Sequence, residues 1–379
     1  MKIKDVECMV LDAGRLYDSP KNSEEAFGMK YICLIKVSTD EGIVGWSDIE
    51  TQPHVAHAVV NAPPSGTGVF EGLRDLVIGE DPFEVEKLWN KVYKGTVYYG
   101  RRGVAIQVLS GFDIACWDIM GKAVGKPIYK LLGAGYRKKI RAYASTLFRP
   151  NPKDIKIACK KYIDQGFTAV KFGHPNIGEE LDIELVKAAR EALGKERDLL
   201  IDLGWTHYYR SPYDAIQFCR KIEPFDVYLL EDFLHVENYD GYAKVSESVN
   251  IRIAAGEGEA TPWGFKDLIE RGKIDVAQPD ISRCGGFTAL RKIMWIAEQN
   301  NVDICPHAWN SDLLKAASLH ANAALQRSLF LEFNVSSAPI YTHIIKNPLK
   351  IENGYVFVPE EPGLGIEVDE NAIKKYRIL

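Results

Sequence analysis

Residues 227–232 read Val227-Tyr-Leu-Leu-Glu-Asp232 and residues 251–257 read Ile251-Arg-Ile-Ala-Ala-Gly-Glu257, and these two runs decide the fold. Each is a short apolar stretch that stops at a carboxylate. Working outward, the same rhythm holds from Lys138 onward. Apolar runs at Ile140–Leu147, Ala169–Phe172, Leu199–Leu203, Val227–Leu230, Ile251–Ala255, Asp275–Ala277, Val302–Cys305 and Leu329–Phe333 alternate with helical patterns. The helices start at signals such as Ser211-Pro212 and Thr261-Pro262 and stop at Asp164-Gln-Gly166, Leu193-Gly194 and Glu270-Arg-Gly272. Continuous apolar runs suit strands buried on both faces. Eight such β–α alternations predict an α/β barrel of (β/α)7β or TIM-like type. A doubly wound open sheet is disfavoured, because no strand runs into a Gly-rich phosphate loop.

The first 125 residues have a different texture. Met1–Leu11, Tyr31–Ser38 and Ile43–Ser47 read as strands, the last two joined by the turn Thr39-Asp-Glu-Gly42. Helical pattern runs from Gly68 to Lys126, and residues 13–28 and 48–68 read as loops. This predicts a small α+β capping domain over residues 1–125, completed by a strand-and-loop segment at 348–379, with the barrel at 126–347. Of the 379 residues, 47 are Lys or Arg and 52 are Asp or Glu, a net charge of −5. That is the wrong sign for a nucleic-acid partner or an anionic membrane surface. The opening lacks a leader-like apolar run, no run of about 20 apolar residues stands out, and the seven cysteines are scattered without a C-x-x-C pair. A cytoplasmic enzyme without disulfides is the expectation.

In a barrel, chemistry collects at the carboxyl ends of the strands. Three successive runs end in Asp202, Glu231 and Glu257. Any one of them alone would more often be a cap or a surface acid. Three together repel unless a cation joins them, and an all-oxygen set favours Mg²⁺. The second run carries Lys171, which needs anions beside it, and the sixth and seventh end at Asp280 and His307 on neighbouring strands. A carboxylate orienting an imidazole makes a general-base dyad. The eighth run ends at Glu332.

The order Lys171, Asp202, Glu231, Glu257, Asp280, His307, Glu332 resembles the enolase superfamily, specifically its mandelate racemase subgroup. So do the 26-residue step from Glu231 to Glu257, the 27-residue step from Asp280 to His307, and the helical segment Gly111–Gly133. The resemblance implies a capping domain whose loops close over the barrel mouth, Mg²⁺ on Asp202, Glu231 and Glu257, Lys171 polarising a substrate carboxylate, and His307–Asp280 as the base that removes the α-proton. It also implies a homo-oligomer, from dimer to octamer. Two departures matter. The racemase's second lysine falls at Gly173, and the acid histidine of some sugar-acid dehydratases falls at Gly204. His174 is the first alternative for a second base; Glu332, Trp309, Arg15 and Tyr17 are candidate substrate contacts. With one base left, dehydration of an aldonate or aldarate to a 2-keto-3-deoxy acid is the favoured reaction. A racemase, epimerase or cycloisomerase of the same superfamily is the alternative, and a non-catalytic acid-binding barrel the remote one. A metal-dependent amidohydrolase would want a His-x-His on the first barrel strand, and Ile140–Leu147 has no histidine.

Overall fold

Long β-branched and aliphatic runs separated by a glycine turn form the N-terminal sheet. In the computed structural model, which describes residues 1–13, 29–173, 178–204, 211–336 and 338–379, it consists of β1 (Ile3–Asp12), β2 (Tyr31–Thr39) and β3 (Val44–Ile49), antiparallel in that order. Gly42 supplies the left-handed turn residue at φ +82°. The expected loop at 48–68 contains a helix, Pro53–Asn61. Gln52 caps it by accepting from the His54 amide, proline occupies its first turn, and Ala56 and Val60 share the buried face. The helix Val104–Val124 is long and apolar enough to cross a membrane, so the sequence does hold one such segment. Most of it is buried against β3 and the helix Gly286–Gln299, as befits a core helix.

The second sheet is parallel and curled. It contains β4 (Lys139–Leu147), β5 (Ala169–Gly173), β6 (Asp198–Asp202), β7 (Val227–Glu231), β8 (Arg252–Ala255), β9 (Val276–Ala277), β10 (Asp303–Ile304) and β11 (Leu331–Asn334). Neighbours pair in chain order, and β11 returns to pair with β4. On the far side Ile304 bridges Ser328, just ahead of β11. This fits the expected TIM-like barrel with a cap. β9 starts one residue later than its run, and β10 is one residue shorter at each end, with Pro306 two residues beyond it lacking a ladder donor. Inside the curl lies a separate apolar cluster of Tyr143, Ala169, Leu200, Leu229, Ala254, Val276, Cys305 and Phe330, which forms the floor of the site. β12 (Tyr355–Phe357) pairs antiparallel with β4. The chain then ends in a helix, Glu370–Tyr376, where strand and loop were expected; Asp369 caps it by accepting from the Asn371 and Ala372 amides, and it packs on β1.

Candidate active site

Side chains two apart on a strand share a face, so the residues two beyond the apolar floor stand in a ring above it. Ser145 follows Tyr143, Lys171 follows Ala169, Asp202 follows Leu200, Glu231 follows Leu229, His307 follows Cys305 and Glu332 follows Phe330. Glu257 arrives by a detour through Gly256 (φ +131°), where a Cβ would come within 2.9 Å of the Phe265 ring. Above the ring is a cavity of about 310 Å³ whose walls include Asp202, Glu257, His307, Trp309 and Glu332.

His307 lies between two carboxylates. Its Nδ1 is 2.7 Å from Asp280 Oδ2 and its Nε2 is 3.0 Å from Glu257 Oε2. Asp280 is itself fixed, its Oδ1 accepting from the Ser282 amide at 2.7 Å and hydroxyl at 2.6 Å. Burial pulls the His307 pKa down, but Glu257, Glu332 and the bond to Asp280 outweigh it and hold it well above the ordinary value. Lys171 is buried beneath the cavity, its ammonium 2.8 Å from Glu231, 3.1 Å from Glu332 and 3.2 Å from Asp202. Lys171, expected to polarise a substrate carboxylate, is thus surrounded by three carboxylates of the chain. Glu332 is held at both oxygens, accepting from the Ser145 hydroxyl at 2.7 Å and the Ala308 amide at 2.8 Å. Burial opposes its ionisation, yet Lys171 and His307 bring its pKa to about 2. Arg15, Tyr17 and His174 lie outside the described residues.

Two residues escaped the sequence reading. Glu50, one residue past the end of β3, reaches in from the N-terminal unit, and Arg283 meets it at 2.6 Å. Arg283 also donates to the Glu257 carbonyl at 3.1 Å. Glu50 follows β3, where Ser47 and Asp48 break the apolar run that marked the barrel acids. Arg283, three residues after Asp280, had no such mark.

Seven carboxylates (Glu50, Asp202, Glu231, Asp232, Glu257, Asp280 and Glu332) thus gather around two permanent cations, Lys171 and Arg283. Burial, then the charge of Asp202, pushes Glu231 up to about 8. Its Oε1 is buried without a hydrogen-bond partner among the described residues, as is Asp232 Oδ2. Crowded, under-neutralised oxygen donors of this kind fit a hard divalent cation.

A curled parallel sheet with carboxylates on its strand ends and a separate antiparallel sheet packed on the helix Val104–Val124 define a class of α/β enzyme fold. The chain belongs to the enolase superfamily, in its mandelate racemase subgroup: residues 10–133 match the mandelate racemase / muconate lactonizing enzyme N-terminal domain and residues 154–372 match the enolase C-terminal domain-like family. It is 32% identical to D-galactarolactone cycloisomerase of Agrobacterium fabrum, over 100% of this chain and 99% of that one. To arabinonate dehydratase of Saccharolobus solfataricus it is 29% identical, over 99% of each. The crystal structure of 3,6-anhydro-D-galactonate cycloisomerase from Zobellia galactanivorans superposes with a TM-score of 0.87 at 29% identity, covering the whole of both chains.

Proposed function

We propose that this chain is a Mg²⁺-dependent dehydratase of a sugar acid, an aldonate or aldarate, that removes the proton next to the carboxylate and yields a 2-keto-3-deoxy acid. The observation that carries the reading is the His307–Asp280 pair, with His307 lining one cavity together with Asp202 and Glu257. Asp202, Glu231 and Glu257 would hold the cation. Bound there, Mg²⁺ supplies the positive charge that stabilises the oxygens of a substrate carboxylate as its α-proton leaves.

The side chains divide the remaining work. Asp280 keeps the His307 ring oriented with Nε2 toward the cavity. Nε2 takes the proton from carbon 2 and returns it to the hydroxyl departing from carbon 3, so one water is lost and the resulting enol becomes the ketone. His307 is a free base only when the charge of Glu257 is engaged elsewhere, which the ligand role of Glu257 provides. Lys171 lends its charge from below, through Glu231 and Asp202, as negative charge develops. Trp309 lies on the cavity wall and is proposed to bound the polyol chain.

A second reading has its own support in the two cycloisomerase relatives. The same proton abstraction followed by departure of a ring oxygen, which stays tethered, gives an isomer instead of a dehydrated product. A screen of aldonates, aldarates and their lactones with Mg²⁺, read by mass spectrometry, separates the two. The dehydratase reading predicts a 2-keto acid lighter by one water; a product of unchanged mass favours the cycloisomerase. Full activity in the presence of a chelator overturns both.

A further inference from the structure

We propose that Asp232, directly after Glu231, is a fourth carboxylate of the cation site and faces the ion together with Glu231 and Glu257. The inference rests on the Mg²⁺ reading above and extends it. Successive residues of a strand point to opposite faces, so a continued β7 would turn Asp232 away from Glu231. The chain does not continue that way. Asp232 takes a left-handed conformation, φ +45°, which side-chain-bearing residues rarely adopt. The turn brings one oxygen each of Glu231, Asp232 and Glu257 within 4.8 Å of one another.

The hydrogen bonding points the same way. Asp202 is engaged at both oxygens, Oδ1 accepting from the Gly204 amide at 2.7 Å and Oδ2 lying 3.2 Å from Lys171. Glu231 gives Oε2 to Lys171 at 2.8 Å. What is left among the described residues is Glu231 Oε1 and Asp232 Oδ2, on side chains that are 0% and 4% exposed, with no donor for either. The hydroxyl of Tyr242, which borders the same small void as Asp232, donates instead to the Leu234 carbonyl at 3.2 Å. An unpaired buried carboxylate held by an unfavourable backbone is a poor structural device, and strain of this kind concentrates where a ligand uses it.

The test is cation binding to the full chain. Mn²⁺ affinity is read by electron paramagnetic resonance, and the Mg²⁺-induced rise in melting temperature by calorimetry, for wild type and Asp232→Asn. Asparagine keeps the shape and accepts the same backbone. The expected result is a loss of on the order of 10–100-fold in Mn²⁺ affinity and a smaller Mg²⁺-induced rise, while the metal-free variant melts no lower than wild type. If Asp232→Asn does not fold, Asp232→Gly, which suits the positive φ, is measured the same way. Unchanged affinity overturns the inference alone, and so does a metal-free melting temperature that falls, the mark of a purely structural aspartate. A wild-type chain that binds neither ion overturns the Mg²⁺ reading beneath it.

Discussion

Asp280 and Glu257 reach opposite nitrogens of one imidazole, and this sets what His307 can do. Asp280 is fully buried and held by Ser282, in the place proposed to orient the ring, whereas Glu257 stands on the cavity wall. Replacing His307 with asparagine removes the proposed base and should lower kcat by on the order of 10²–10⁴-fold. Asp280→Asn should lower kcat by less, because the ring remains but loses its fixed partner. Neither should weaken Mn²⁺ binding, and wild-type turnover from the His307→Asn enzyme would exclude the assigned role. Most of these residues were legible in the sequence because a carboxylate or histidine directly after a buried run has nowhere to point but the strand end. Glu50 and Arg283 were not, since what matters about them is their contact with each other across 233 positions of the chain. At Gly173 an added Cβ would sit 3.6 Å from Asp202 Oδ2, an ordinary contact, so a β-carbon fits there.

The helix Val104–Val124 carries the next level of organisation. Asp113 on its buried face accepts from the Thr288 amide at 3.0 Å and so caps the neighbouring helix Gly286–Gln299. Gly286 is required where the two meet: its φ is +72°, and a Cβ would overlap the Asp113 carboxylate. Burial raises the Asp113 pKa from 3.8 to about 7, against the hydrogen bonds from Thr288. The folded state therefore holds this proton more tightly than the unfolded chain, and the stabilisation is complete below about pH 4 and lost as pH rises toward 7. Asp113→Asn should flatten that part of the stability profile and melt higher than wild type at pH 8, as followed by thermal unfolding across the range. The slope should not vanish, because Asp48 is raised to about 7 by burial in the same way. A variant less stable at every pH would mean the ionised carboxylate is needed. The strands could be read because burial on both faces leaves an unbroken apolar run. Helix Pro53–Asn61 could not, because its nine residues lie between the end of β3 and a Pro/Gly-rich loop and only Pro53, Ala56 and Val60 are buried.

Across the whole molecule, the end of β3 joins the N-terminal unit to the barrel mouth. Asp48 accepts from the Ser311 amide and hydroxyl at 2.9 and 2.5 Å, and the Glu50 amide donates to the Ser282 hydroxyl at 3.2 Å, one turn away from the Asp280–His307 pair. The N-terminal unit therefore touches Ser282, which holds Asp280 beside the proposed base, a coupling that strand-by-strand reading of the sequence has no means to detect. What that reading did reach, the two-part architecture and the ring of strand-end residues, follows from local rules of burial and alternation. The central claim, α-proton removal by a single base, is tested most directly by running the reaction in D₂O with Mg²⁺ and a turned-over sugar acid, and following product and remaining substrate by NMR. The account predicts a 2-keto-3-deoxy product carrying one solvent deuteron at carbon 3 and remaining substrate with its configuration at carbon 2 intact. Substrate recovered as the carbon-2 epimer would require a second base on the opposite face and would contradict it.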